Sequence, residues 1–142
     1  MMEDDMRTLK ILSLLTLAVG LAMPVPGARA QSKDVDMAVL EFTEKTQLLG
    51  VTLLGKYVFI HDDQKKAEGK ECLYVYEYKG DAKTPLLTRL GKQVVAFHCQ
   101  LMERPKTKID VLTLAMSSEP GIFEIREIQF AGSDKGHRVM AQ

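Results

Sequence analysis

The chain has 142 residues, 19 of them Lys or Arg and 19 Asp or Glu, so its formal net charge at pH 7 is zero. Its basic residues are scattered, which excludes both the electrostatic footprint of a nucleic-acid binder and the polybasic segment that holds a protein to an anionic membrane surface. Two cysteines and no tryptophan also exclude a cysteine-rich scaffold and a Trp-lined sugar site.

Residues 1–30 read as a cleaved signal peptide. Arg7 and Lys10 precede the apolar run "ILSLLTLAVGLAM" (11–23), and "PVPGARA" follows. Ala28 and Ala30 form an A-x-A signal before Gln31. Thirteen apolar residues make about 20 Å of helix, against roughly 30 Å of hydrocarbon, so no membrane anchor is expected to be retained. "MMEDDM" is acidic where a leader is basic, and a start at Met6 would make residues 1–5 a gene-start artefact. No Cys follows the cleavage site to accept a lipid. The leader removes Arg7, Lys10 and Arg29 from one side of the charge balance and Glu3, Asp4 and Asp5 from the other, so sixteen of each sign remain.

The mature chain, 31–142, is expected to be one β domain, large enough to bury its own core. Apolar residues alternate, or run in short β-branched and aromatic stretches, over 37–47, 51–61 and 72–79. The pattern repeats in the short "PLLTRL" (85–90) and over 92–103, 108–116 and 122–130. Turn signals separate them: Gly50, "DDQKKAEGK", "KGDAKTP", Gly91, "ERPK", "SSEPG" and "AGSDKG". Six to seven short strands with this punctuation predict an all-β fold, an antiparallel β-sandwich or small barrel. A short helical turn fits around "DDQKKAEG". Gly55 is placed in a turn or bulge with positive φ. "YVFI" (57–60) is apolar on both faces, as in a strand central to its sheet.

"LLGVTLLGKYVFIHDD", with "FHC" (97–99) and "QFAGSDKGH" (129–137), resembles segments of an uncharacterised group of small secreted bacterial β-proteins, in which the first segment reads P-G-x-x-L-x-x-G-x-Y-x-F. The resemblance covers about a third of the mature chain and implies a secreted β-domain without an assigned activity. The chain departs from that pattern at Leu49, where the group has proline.

An exported protein with two cysteines defaults to a disulfide, Cys72 to Cys99. Antiparallel pairing of 72–79 with 92–99 has a register that sets Cys72 opposite Cys99, Tyr74 opposite Phe97 and Tyr76 opposite Val95. His98 then points away from the bridge. Oxidised cysteines provide neither a nucleophile nor a thiolate ligand.

Three histidines remain. "IHDD" sets His61 beside Asp62 and Asp63, His98 lies in a strand, and "SDKGH" sets His137 after a turn. His61, His98, His137 and one Asp are the types that hold Zn²⁺ or Cu²⁺, but no two histidines have metal-motif spacing. His98 is therefore expected to be a strand histidine hydrogen-bonded at a half-buried surface, and His61 and His137 solvated loop residues, with no bound cofactor. Ser133, Asp134 and His137 are triad types crowded into one turn, there is no G-x-S-x-G, and "AGSDKG" lacks the ending of a phosphate loop. Tyr74, Tyr76 and Tyr78 alternate along one strand and are read as core filling over an exposed binding stripe.

These readings converge on a secreted or periplasmic, disulfide-bonded, non-enzymatic β-domain. It is expected to act as a binding module for a ligand or an envelope protein. The alternative is a periplasmic metal-binding protein using His61, His98 and His137. Convergent imidazoles would favour the alternative, and an exposed aromatic surface the former.

Overall fold

The computed structural model describes residues 35–80 and 90–140; the expected leader (1–30) and most of "PLLTRL" lie outside them. Eight strands and one short helix follow in order: β1 (Val35–Leu48), β2 (Val51–Asp62), α1 (Asp63–Ala67), β3 (Leu73–Tyr78), β4 (Leu90–Phe97), β5 (Cys99–Glu103), β6 (Val111–Met116), β7 (Phe123–Gln129) and β8 (Lys135–Val139). The fold is all-β, as the alternation predicts. The strands make one sheet in the order β4-β3-β2-β1-β7-β8-β5, with β6 on β7, rather than the two facing sheets of a sandwich. Pairing is antiparallel except for a short parallel contact of β1 with β7 at Thr46–Phe123 and Gln47–Glu124.

The β1–β2 hairpin turns on Leu49 and Gly50, both left-handed at φ 50° and 78°. A two-residue hairpin whose central residues both have positive φ matches the twist of its strands. Proline, fixed near −65°, cannot take the place of Leu49 in this turn. Leu49 instead packs on the core. Gly55, at φ 96°, sits where the β1–β2 register shifts between Phe42 and Thr46, a bulge as predicted. β2 lies between β1 and β3, the interior position that its two apolar faces imply.

The register of β3 against β4 differs by one residue from the expected one. Leu73 faces Phe97, Tyr74 faces Ala96 and Val75 faces Val95. Leu73, Val75 and Phe97 therefore enter the core with Phe59, Ile125, Ile128 and Phe130. Alternation sends Tyr74 and Tyr76 to the face opposite Leu73 and Val75, away from the main core cluster, and Tyr76 and Tyr78 are only half-buried. Tyr74 is nonetheless only 8 % exposed, and the Lys65 ammonium lies 4.2 Å from its ring centroid.

β4 and β5 are one run of chain interrupted at His98, yet they pair with different neighbours, β3 and β8. The two ends of the sheet order are thus covalently continuous. Phe97 and Cys99, two positions apart, both face inward, while His98 between them is exposed. Cys72 and Cys99 are joined across this bend with Cα atoms 6.2 Å apart, the expected disulfide in a different register. β8 falls in "KGHRV", which carries no apolar alternation; it is a strand because it fills the gap between β7 and β5.

Candidate functional site

The site grows from the inward faces of β1, β2 and β8. On β1 the alternation that buries Ala38 and Phe42 also turns Asp36 inward, directly opposite His61 on β2. His61 is itself opposite Leu73, so a polar ring ends a row of core residues. On β8, His137 stands between Ile128 of β7 and Leu101 of β5. β2 and β8 are separated in the sheet by β1 and β7. The curl of the sheet brings their inner faces together, and the two imidazoles meet with ring centroids 3.9 Å apart.

Both rings are buried, His61 at 1 % and His137 at 2 % exposure. Phe130 packs against both, edge-on to His137 at 5.5 Å between centroids. Burial, reinforced by the neighbouring His61 ring, pushes the His137 pKa down to about 4, so this ring is neutral at physiological pH.

Hydrogen bonding is incomplete. Nδ1 and Nε2 of His61 and Nε2 of His137 are buried without a hydrogen-bond partner. Asp36 Oδ2 stands 3.7 Å from His61 Nδ1, and Asp63 Oδ1 stands 3.5 Å from His61 Nε2. Both distances exceed a hydrogen bond. They are close to the separation of about 3.4 Å that nitrogen and oxygen ligands keep around one four-coordinate ion. The remaining nitrogen, His137 Nδ1, lies 3.8 Å from Cys99 Sγ.

Above the rings opens a cleft of about 590 Å³, lined among others by Asp36, Asp63, Lys106, Asp134 and Lys135. Asp36 and Asp63 stand at its mouth with side chains 37 % and 50 % exposed. Their neighbour Asp62 is committed elsewhere: its Oδ1 caps α1, accepting from Gln64 N at 3.0 Å and Lys65 N at 3.1 Å.

Of the three histidines in the sequence, the fold gathers His61 and His137 and leaves His98 on the outside, where it lines no part of the cleft. His61 and His137 are buried strand residues rather than the solvated ones expected. Sequence reasoning also missed Asp36. Its signal was an acid in phase with Ala38, Leu40 and Phe42, the inward positions of β1. The Ser133 hydroxyl is held by the backbone of its own turn, accepting from Lys135 N at 3.1 Å and donating to Lys135 O at 3.4 Å. Among the described residues no helix is long and apolar enough to cross a membrane. No protein-family model, curated protein or solved structure matches the chain.

Proposed function

We propose that the mature chain is an exported β-domain that acts by binding, and that its ligand is a divalent transition-metal ion of the zinc class held by His61 and His137. The buried pair of imidazoles, with three ring nitrogens unpartnered, carries this reading. Folded proteins rarely leave buried polar atoms unpaired, and each costs about 1–3 kcal/mol when they do. A cation between the rings satisfies one nitrogen of each. His61 has a carboxylate beside each of its nitrogens, so whichever nitrogen turns to the ion brings an oxygen ligand with it, from Asp36 or Asp63. Two imidazoles, a carboxylate and a water from the cleft make a set suited to Zn²⁺. Export is supported by the leader pattern and by the disulfide, which persists in oxidising compartments.

The competing reading, an exposed aromatic binding face, loses support because Tyr74 is buried beneath Lys65. The test is zinc titration of the oxidised mature protein by calorimetry. One equivalent should bind, with affinity falling by about tenfold or more in His61→Ala and in His137→Ala. His98→Ala should bind as the parent does. A parent protein that takes up neither zinc nor copper, or binding indifferent to both substitutions, would overturn the proposal.

A further inference from the structure

We infer that the Cys72–Cys99 disulfide withholds a second, tighter state of the metal site: reducing it frees Cys99 to ligate a zinc-class cation together with His137 and His61. This rests on the metal reading of the histidine pair and adds redox control to it.

The geometry is that of three ligands already gathered. One donor atom from each of His61, Cys99 and His137 lies within 4.8 Å of the other two, and all three residues are buried. Cys99 Sγ is 3.8 Å from His137 Nδ1. Bonds of about 2.05 Å to nitrogen and 2.3 Å to sulfur in a tetrahedral site put those two atoms about 3.5 Å apart. For that pair the sulfur needs to move by only a few tenths of an ångström, and His61 closes the set from within 4.8 Å. Cys72 is not among the three gathered donors, and its Sγ is 3.6 Å from the Phe97 carbonyl oxygen, so Cys99 is the cysteine placed to bind.

Charge makes the difference between the two states. A disulfide sulfur carries no negative charge and is a poor ligand, whereas a thiolate is a strong one. An external dithiol supplies the reduction: its two sulfurs form a new disulfide, the Cys72–Cys99 bond breaks, and two thiols remain in the protein. Cys99 then gives its proton to solvent as its sulfur bonds to the cation. The bridge is buried, with Cys72 at 1 % and Cys99 at 8 % exposure, so exchange requires opening at the neighbouring exposed bend of His98. Because Cys99 approaches from Nδ1 of His137, the ion sits on that side of the ring in the reduced state, away from the unpartnered Nε2.

The test compares Zn²⁺ affinity, by competition with a chromophoric chelator, in the oxidised protein, the reduced protein, Cys72→Ser and Cys99→Ser. Co²⁺ serves as a spectroscopic probe, and circular dichroism reports the fold. Reduced protein and Cys72→Ser should bind Zn²⁺ at least about tenfold more tightly than oxidised protein. Both should show a sulfur-to-cobalt charge-transfer band in the near ultraviolet, and Cys99→Ser should show neither effect. Equal affinity in both redox states, a band that survives Cys99→Ser, or a reduced chain that unfolds in the presence of zinc would overturn the inference. Binding by the oxidised protein without tightening on reduction sinks the redox control alone. Binding only after reduction keeps the thiolate site and removes the function proposed for the oxidised domain.

Discussion

Gly136 on β8 lies directly beneath the carboxylate of Glu127 on β7, leaving no room for a Cβ. Glu127 is only 5 % exposed. It is held by Arg104 through two hydrogen bonds, Nε to Oε1 at 2.8 Å and Nη2 to Oε2 at 2.9 Å. That ion pair ties the chain just beyond β5 to the β7–β8 pair, on the strands that carry His137.

Gly136→Ala is therefore expected to push the Glu127 carboxylate off Arg104. Overpacking of this kind costs on the order of 1–3 kcal/mol, measurable by urea unfolding. Adding Glu127→Ala removes the clash, so the double variant should lose less than the sum of the two singles. Strict additivity would show that the clash relaxes elsewhere.

Gly55→Ala should destabilise for the opposite reason. A Cβ there meets nothing within 4 Å, but φ is 96°. A side chain in left-handed backbone costs roughly 1–2 kcal/mol. No neighbouring truncation should rescue it. A stability unchanged by the substitution would mean that the bulge readily adopts another conformation.

The metal-free domain should lose stability as acid is added. In the fold His137 stays neutral down to about pH 4, whereas its ordinary value is 6.5. Between these values the unfolded chain binds a proton that the folded chain does not, so stability rises with pH across that window. The full difference is on the order of 3 kcal/mol. Unfolding measured from pH 4 to 7 with a chelator present should show this slope, and His137→Gln should flatten it. An undiminished slope in the variant would assign the titration to another group.

Thiol titration of exported protein under denaturing, non-reducing conditions should find no free thiol. The cysteines are 27 positions apart. Closing such a loop stabilises the fold by about 3.6 kcal/mol on the chain-entropy account. Reduction without metal should lower stability by about 2–4 kcal/mol and leave the domain folded, because a chain of this size buries its own core. Two free thiols per monomer would contradict the pairing.

The leader gives a simple mass prediction. Intact-mass measurement of exported protein should find a chain that starts at Gln31, and Ala30→Phe should block the cleavage by filling the small-residue position. Full-length chain retained in the cytoplasm would contradict export.

Strand positions were legible because alternation survives wherever one face is buried. The register of β3 was not, because Leu73 and Val75 compete with Tyr74 and Tyr76 as an apolar face, and a shift of one residue exchanges them. The disulfide was still found. Cys99 shares the inward face of Phe97, and Cys72, just before β3, is buried beside Leu73, so Cys72 and Cys99 come within 6.2 Å between Cα atoms although their strands pair differently from the expectation. β8 and the His61–His137 contact were illegible for a common reason. Neither has a local pattern, and both arise from curvature that brings together the inner faces of non-adjacent strands.

The interruption at His98 also orders events during synthesis. β5 takes its pairing from β8, which leaves the ribosome some thirty residues later. Until then β5 is a bare edge, open to annealing with another nascent chain. Cys72 and Cys99 have both emerged by that time, and under the export proposed above their oxidation would hold the bend closed before β8 arrives. The bond then acts as scaffolding for a seam that only the last strand completes.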